Sequence, residues 1–599
     1  MTTHAAPSGP QRILHAFGIH SFARGVAMLL ATTTMFMALF TFLNVKADGN
    51  SKRFDALTQK RSLEALTLEI NGKTQVSFDW GTVYRTWKEL DTAAHSAEIA
   101  KDAPETERLM KLRDAMRGES ELLSDTYFRR ANGPPGQAPL PDLARYEADK
   151  YFTREQRLSE EALNLAEIKQ FWDGQVNRYI TVLAFLSAAL FIAGLALTVP
   201  RAVAKSLVVM SVVMIVGGTV YGANAYSKTE PVIPPAALDA YAQGMATVHL
   251  ADGEQDEEIR LENYDEAISQ FTRALQIHND YPNALIARAE AYVSKGLLQF
   301  QTDEEEAALS FHSAVSDYKD AQERGQDDAP SNWNLGWVYY LLGEFDNAIA
   351  ADKRALEQDD SLFGVRSNLG LAYLANGQFE EGEREIMQAT SEAVRDITQA
   401  LAAKTQPPAS SWSLLEAIAI DLDNLYMRMD GDDWWFNEAP PSSVVRDLDR
   451  VKSKAAELRD RVSNLHVSLE ETGKLPATTP PTAKVTNMTV GGTSDRLNPR
   501  YPRSRELPGD TVGIEVQFNY EGIQRGQKIV WRVFHNGQQD RLLASYRVWD
   551  REPRGSSSFI MTYAYSSVYH FSSGYYVVEL FVDHQLVGRT SFTVRDEDD

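Results

Sequence analysis

Three runs without a single charged residue constrain this chain more than any other feature. Gly25–Val45 is 21 residues long, Tyr179–Val199 another 21, and Leu207–Ala223 a further 17. A helix needs about 20 apolar residues to cross a bilayer, so each run is read as a membrane-spanning helix. The last two are separated only by Pro200–Ser206, "PRAVAKS", which makes them an antiparallel hairpin. A cleaved signal peptide is the other reading of the first run, but the run exceeds a usual signal core and no small-x-small cleavage site cleanly follows it. A buried soluble hairpin is the other reading of the pair.

Orientation follows from cations in short loops, which resist translocation. PRAVAKS carries Arg201 and Lys205, and residues 1–24 carry Arg12 and Arg24 with no acid. With three crossings both lie on one side, which is expected to be cytoplasmic. Lys46, Lys52, Arg53, Lys60 and Arg61 argue the other way, but they open a long segment, where the rule is weak. The expected localisation is a multi-pass cell-membrane protein whose downstream domains lie outside the cytoplasm.

Residues 46–178 read as an extracytoplasmic helical bundle, with Phe54, Leu57, Leu63, Leu66 and Ile70 near a 3.6 period. A second helical stretch is expected from Trp80 to Arg130. "NGPPGQAPLP" must be a loop, and a third helix from Ala144 runs straight into the second span. Trp80, Trp87 and Trp172 are expected in the core. The bundle reads as a stalk or assembly surface, or alternatively as a sensor input domain.

A shift of 34 residues realigns "NLGWVYYLLGEFDNAI" at Asn334 with "NLGLAYLANGQFEEGE" at Asn368, so that Leu335, Gly336, Tyr339, Gly343 and Phe345 land on Leu369, Gly370, Tyr373, Gly377 and Phe379. That period and pattern resemble the tetratricopeptide repeat (TPR), a helix pair stacked into an α-solenoid. Two degenerate units precede it: Leu238–His249 with a helix containing Tyr264, Ala267, Phe271 and Ala274, then Pro282–Gly296 with Phe311, Ala314, Tyr318 and Ala321. Four units thus span 237–396, and helices over 397–472 cap them.

The resemblance implies a protein partner, a peptide or a helix, held on the inner face of the first helices. Carried onto this chain, that face comprises Trp333, Trp337, Tyr340, Leu371 and Leu374. The positions where relatives grip a C-terminal carboxylate with cations hold Ile286, Glu290, Trp333, Trp337, Ser367 and Leu371, so a carboxylate clamp is not expected. The alternative is that the chain's own capping helices cover the aromatics.

Residues 473–483 read as a Pro/Thr linker. From 484 to 599 the period switches to 2, with Val512, Ile514, Val516 and Phe518 on one face, then Ile529, Trp531 and Val533, then an Asn536-Gly537 turn and a closing hairpin through Asp583 and His584. About seven strands resemble an immunoglobulin-like sandwich, which implies partner or glycan binding, or a spacer. Trp549, Tyr563 and Tyr565 are its candidate surface aromatics. The fold class is therefore mainly α: three membrane helices with a bundle, a TPR solenoid and a C-terminal all-β domain.

Of the formal charge of -23, most lies in 237–400, where 32 acids face 11 bases; residues 484–599 carry 14 of each. Such a balance argues against a nucleic-acid partner, which needs clustered cations. The chain has no cysteine, which excludes disulfides, thiolate metal sites and a thiol nucleophile. No phosphate loop, dinucleotide fingerprint, HExxH or GxSxG occurs, and the histidines are scattered. The turn with Asp430, Asp432, Asp433, Trp434 and Trp435 lacks the ligand spacing of a calcium loop. The expected function is a membrane-anchored, non-catalytic scaffold without metal or cofactor. The alternatives are an extracytoplasmic sensor, or a cell-envelope glycan-binding protein acting through the sandwich.

Overall fold

The computed structural model describes residues 9–128, 141–300 apart from Gln255, 303–428, 448–472, 483–494, and 501–595 apart from 510, 525–526, 536–537, 540–542, 544, 550, 562–570, 572 and 583–584. The expected turns over 132–140 and 430–435, those at Asn536-Gly537 and Asp583-His584, the linker over 473–482, and Tyr563 and Tyr565 lie outside the described residues. The chain divides into two compact units, Met1–Gln301 and Thr302–Asp599. The division falls within the stretch expected as the second repeat.

In the first unit, α1 runs unbroken over Gly9–Phe78 and α5 over Thr153–Leu195. They lie antiparallel, as three contacts show: Phe40 beside Tyr179 (centroids 6.1 Å apart), Ser51 donating to Asp173 (2.5 Å) and Arg61 donating to Glu161 (3.0 Å). Before α5 come α2 (Arg85–Ile99), α3 (Ala103–Met116) and α4 (Leu143–Glu147). Helix α6 (Arg201–Tyr226) follows α5 and packs Ile215 and Ala225 into a core with Phe40, Val182 and Leu186. Three helices of this unit are long and apolar enough to cross a membrane by length and composition.

The helical stretch expected from Trp80 to Arg130 is divided into several elements as far as Phe128. Residues Asp79–Tyr84 form a π-helical turn that runs continuously from α1 into α2, and the first true break is after α2, where Lys101 takes a left-handed φ of 59°. Asp102 then caps α3, accepting from the Glu105 amide (3.2 Å) with a proline in the first turn. Trp87 is in an aromatic core with Tyr84, Phe128 and Tyr146. Trp172 is half-buried, and Trp80, expected in the core, is 37% exposed.

The stretch expected as the first repeat holds α7 (Pro235–Asp252) and α8 (Glu257–Ile277), and α9 (Pro282–Gln299) begins the expected second. The acidic stretch between α7 and α8 is a short turn plus the start of α8, because Asp256 caps that helix. In the second unit come α10 (Glu304–Glu323), α11 (Ala329–Leu341), α12 (Phe345–Gln358), α13 (Phe363–Ala375) and α14 (Phe379–Ala402). The 34-residue period recurs as geometry. Lys319 lies over the Tyr339 ring and Lys353 over the Tyr373 ring, each at 5.4 Å. Helices α11 and α13 end identically: Gly343 (φ 77°) and Gly377 (φ 76°) adopt the left-handed conformation. The next amides, of Glu344 and Gln378, then reach back to the carbonyls of Tyr339 (2.9 Å) and Tyr373 (2.8 Å).

Helix α11 starts at Asp328, whose carboxylate accepts from the Ser331 amide (2.9 Å) and from Gln326 (2.7 Å). Losing this cap is expected to cost about 1 kcal/mol. Asp328→Ala should therefore speed hydrogen exchange in the first turn of α11 relative to α13, which has no side-chain cap.

Helices α15 (Ala409–Arg428) and α16 (Leu448–Thr472) follow. The C-terminal part has nine strands among the described residues: β1 (Lys484–Thr493), β2 (Glu506–Leu507), β3 (Gly513–Glu521), β4 (Lys528–His535), β5 (Gln538–Gln539), β6 (Ser545–Val548), β7 (Arg554–Met561), β8 (Gly574–Val582) and β9 (Gln585–Val594). They form a three-stranded sheet, β1-β3-β7, and a larger one, β2-β9-β8-β4-β5 with β6 on β4; β2 and β9 run parallel. One core joins the sheets. Trp531 of β4 stacks on Phe559 of β7 (4.5 Å, 6°) and meets Phe518 of β3 edge-on. Trp549, expected at the surface, is a correction: it is 1% exposed, edge-on to Tyr520. A residue following an alternating run is ambiguous in face, and the indole is drawn into the core by area.

Four charged residues tie α15 and α16 to the larger sheet. Asp423 of α15 accepts from Arg459 of α16 (3.1 Å) and from Arg589 of β9, and Arg589 also approaches Glu579 of β8 (3.8 Å). Burial pushes the Glu579 carboxyl above its ordinary range.

Candidate partner-binding groove

Trp333 and Trp337 are four residues apart on α11 and so share one face. Both are half-buried. They line a groove of about 720 Å³ whose other walls come from α13, α14 and α15, through residues such as Gly364, Ser367, Asp396, Leu414 and Asp421. Gly364 lets α13 come up to the indole: a Cβ there would stand 2.6 Å from the Trp333 ring.

The other three expected partner-binding residues are not open surface. Tyr340 is 4% exposed, while Leu371 and Leu374 are fully buried. Tyr340 stacks on Trp337 (5.3 Å, 20°) and packs against Phe345, so it braces the groove from behind. Leu374 fills the space beside Gly382 of α14, inside the fourth repeat. Helices this close enclose the residues nearest the pair axis, leaving only the outermost of the inner face accessible.

The expectation that the following helices cover the aromatics is half met. Helix α15 supplies a wall, not a lid. Its Leu415, Ile418, Leu422 and Leu425 are fully buried on one side, while Leu414, Ala417 and Asp421 face the groove on the other. The sequence carried a signal for this: Asp421 interrupts the apolar run "LLEAIAIDL" at the i, i+3, i+7 spacing of a second face.

Polar chemistry in the groove is acidic. Asp396 is near Ser411 (3.5 Å) and Arg395 (3.7 Å). Asp421, half-buried on the wall, is surrounded by enough protein that burial pushes its carboxyl up to about 7. Ser367 is 3% exposed, and its hydroxyl has no hydrogen-bond partner among the described residues. No Lys, Arg or His lines this groove, and no group of three metal-ligating side chains occurs among the described residues.

No curated protein matches this chain. Among solved structures, a thermophilic TPR protein of Thermus thermophilus is 25% identical, aligning over 29% of this chain and 87% of its own, with a TM-score of 0.21. YrrB, a TPR protein with an unusual peptide-binding site, is 13% identical over 36% of this chain and 86% of its own, also at 0.21. Pseudomonas fluorescens alkylpurine DNA glycosylase AlkC, bound to DNA containing an abasic site analog, is 10% identical over 61% and 93%, at 0.18. The family description "Tetratricopeptide repeat" matches residues 301–362, from the start of α10 to the end of the third repeat. Residues 301–362 therefore carry a tetratricopeptide-repeat match, and Trp333 and Trp337 of the groove lie within it.

Proposed function

We propose that this chain is a non-catalytic scaffold, anchored in a membrane by three helices, that holds a protein partner in the groove lined by Trp333 and Trp337. The carrying observation is that groove: two accessible indoles on one face of α11, in a cleft of the size that buries a ligand segment. Repeats of this family suggest protein–protein interaction. Membrane insertion is supported by the apolar side chains turned outward on the long helices, among them Met35 (76% exposed), Phe191 (67%) and Val213 (64%). Such a surface is costly in water and matched by lipid.

In the orientation we favour, residues 1–24 and PRAVAKS are cytoplasmic, and the repeats and β-sheet region lie outside the cytoplasm. The two sheets sharing one core fit an immunoglobulin-like sandwich that acts as a spacer or second contact surface. A reporter fused after Tyr226 should be active only in the non-cytoplasmic compartment; activity in the cytoplasm would invert the topology. Affinity capture of the full chain from solubilised membranes should recover a partner that a Trp333→Ala, Trp337→Ala double variant loses. Unchanged capture would move the binding site elsewhere.

A further inference from the structure

We propose that the groove takes an extended peptide presenting an arginine or lysine, with its cation held by Asp396 and Asp421 and its aliphatic stem against Trp333 and Trp337. The inference rests on the groove being the partner site and specifies what enters it.

Charge complementarity carries the assignment. Two carboxylates line the groove and, among the described residues, no basic side chain lines it; Asp396 has Arg395 at 3.7 Å from outside the lining, so Asp421 is the carboxylate left over. Asp421 has no ion-pair partner among the described residues, and burial alone accounts for its raised pKa. A carboxylate kept in that condition is stabilised by a cation arriving from outside. The second, independent sign is Ser367. The residue is 3% exposed on the groove wall and its hydroxyl has no partner among the described residues, and a buried hydroxyl left without a partner costs free energy that an incoming N–H donor would recover.

The aromatic lining fits the same ligand. Indole faces attract a cation and cover the methylene stem of a long basic side chain. Guanidinium suits the site better than ammonium, because its planar fork offers five donors to the carboxylate and hydroxyl acceptors of the lining. The 32 acids against 11 bases over 237–400 would draw such a peptide in. A terminal carboxylate would meet only repulsion.

The test is selection of random 12-residue displayed peptides on the full-length chain in nanodiscs, followed by titration of the best synthetic peptide. Arginine, then lysine, should be enriched at one position. Replacing it by Gln should weaken binding roughly tenfold to a hundredfold. Asp421→Asn, which preserves shape, should weaken the arginine peptide by a similar factor and leave the Gln peptide almost unchanged. Enrichment of neutral or acidic peptides would overturn the proposal. So would an arginine peptide indifferent to both Asp421→Asn and Asp396→Asn. If that binding still needed Trp333 and Trp337, the groove would stand and only its cation preference would fall. If no peptide were enriched, or binding survived the double tryptophan variant, the groove assignment itself would fail and this proposal with it.

Discussion

Asp423→Ala is expected to destabilise the Thr302–Asp599 unit by about 3–5 kcal/mol, the range for removing one partner from a buried charge set. Asp423 is 8% exposed and is shared by two guanidinium groups, Arg459 of α16 and Arg589 of β9. Without it Arg459 keeps Asp460 (2.8 Å), but Arg589 is left with Glu579 at 3.8 Å and an Nη1 that already lacks a partner. A cation left in that interior loses hydration and regains little. Urea unfolding followed by tryptophan fluorescence should show the loss. A double-mutant cycle of Asp423→Ala with Arg589→Ala should then give a coupling of about 1–3 kcal/mol. Additive effects would mean that the helix and the sheet are not coupled through these charges.

The second large effect is in the third repeat. Asp352 of α12 lies under Gly336 of α11, where the next repeat places Ile386 under Gly370. A Cβ on Gly336 would stand 2.2 Å from an Asp352 oxygen, so the helices are in close contact there. Asp352 is 1% exposed, both its oxygens lack partners among the described residues, and burial raises its pKa well above the ordinary range. The native state therefore binds this proton more tightly than the unfolded chain, whose aspartates titrate near about 3.9. Its stabilising contribution is complete below that value and is lost as pH rises towards the raised native pKa. The slope in that window is about -1.4 kcal/mol per pH unit. Asp352→Asn, which cannot titrate, should remove about that slope and leave the remaining dependence to groups such as Asp421 and Glu579. An unchanged pH profile between about pH 5 and 8 would show that Asp352 is solvated or paired.

Both effects explain why some of this molecule was legible early and some was not. The membrane-length runs, the 34-residue period and the switch to alternation near residue 484 are local patterns, set by how far apart apolar side chains must fall to share a face. Hence Leu335, Tyr339, Leu369 and Tyr373 were recognisable as packing residues, and they are 3–6% exposed. Breaks caused by a single capped residue, as at Lys101 and Asp102, carry a weaker signal.

Within the candidate site, the chain alone pointed to five residues on the inner helices. Packing left two of them, Trp333 and Trp337, lining the groove and enclosed Tyr340, Leu371 and Leu374. The same packing kept Ser367 of the inner face on the groove wall and added Asp396 and Asp421 from two further helices. Periodicity thus determined which side chains turn inward. Which of those remain reachable by a ligand depends on how closely neighbouring helices approach and on where α15 ends up, and these are long-range contacts that no local pattern encodes.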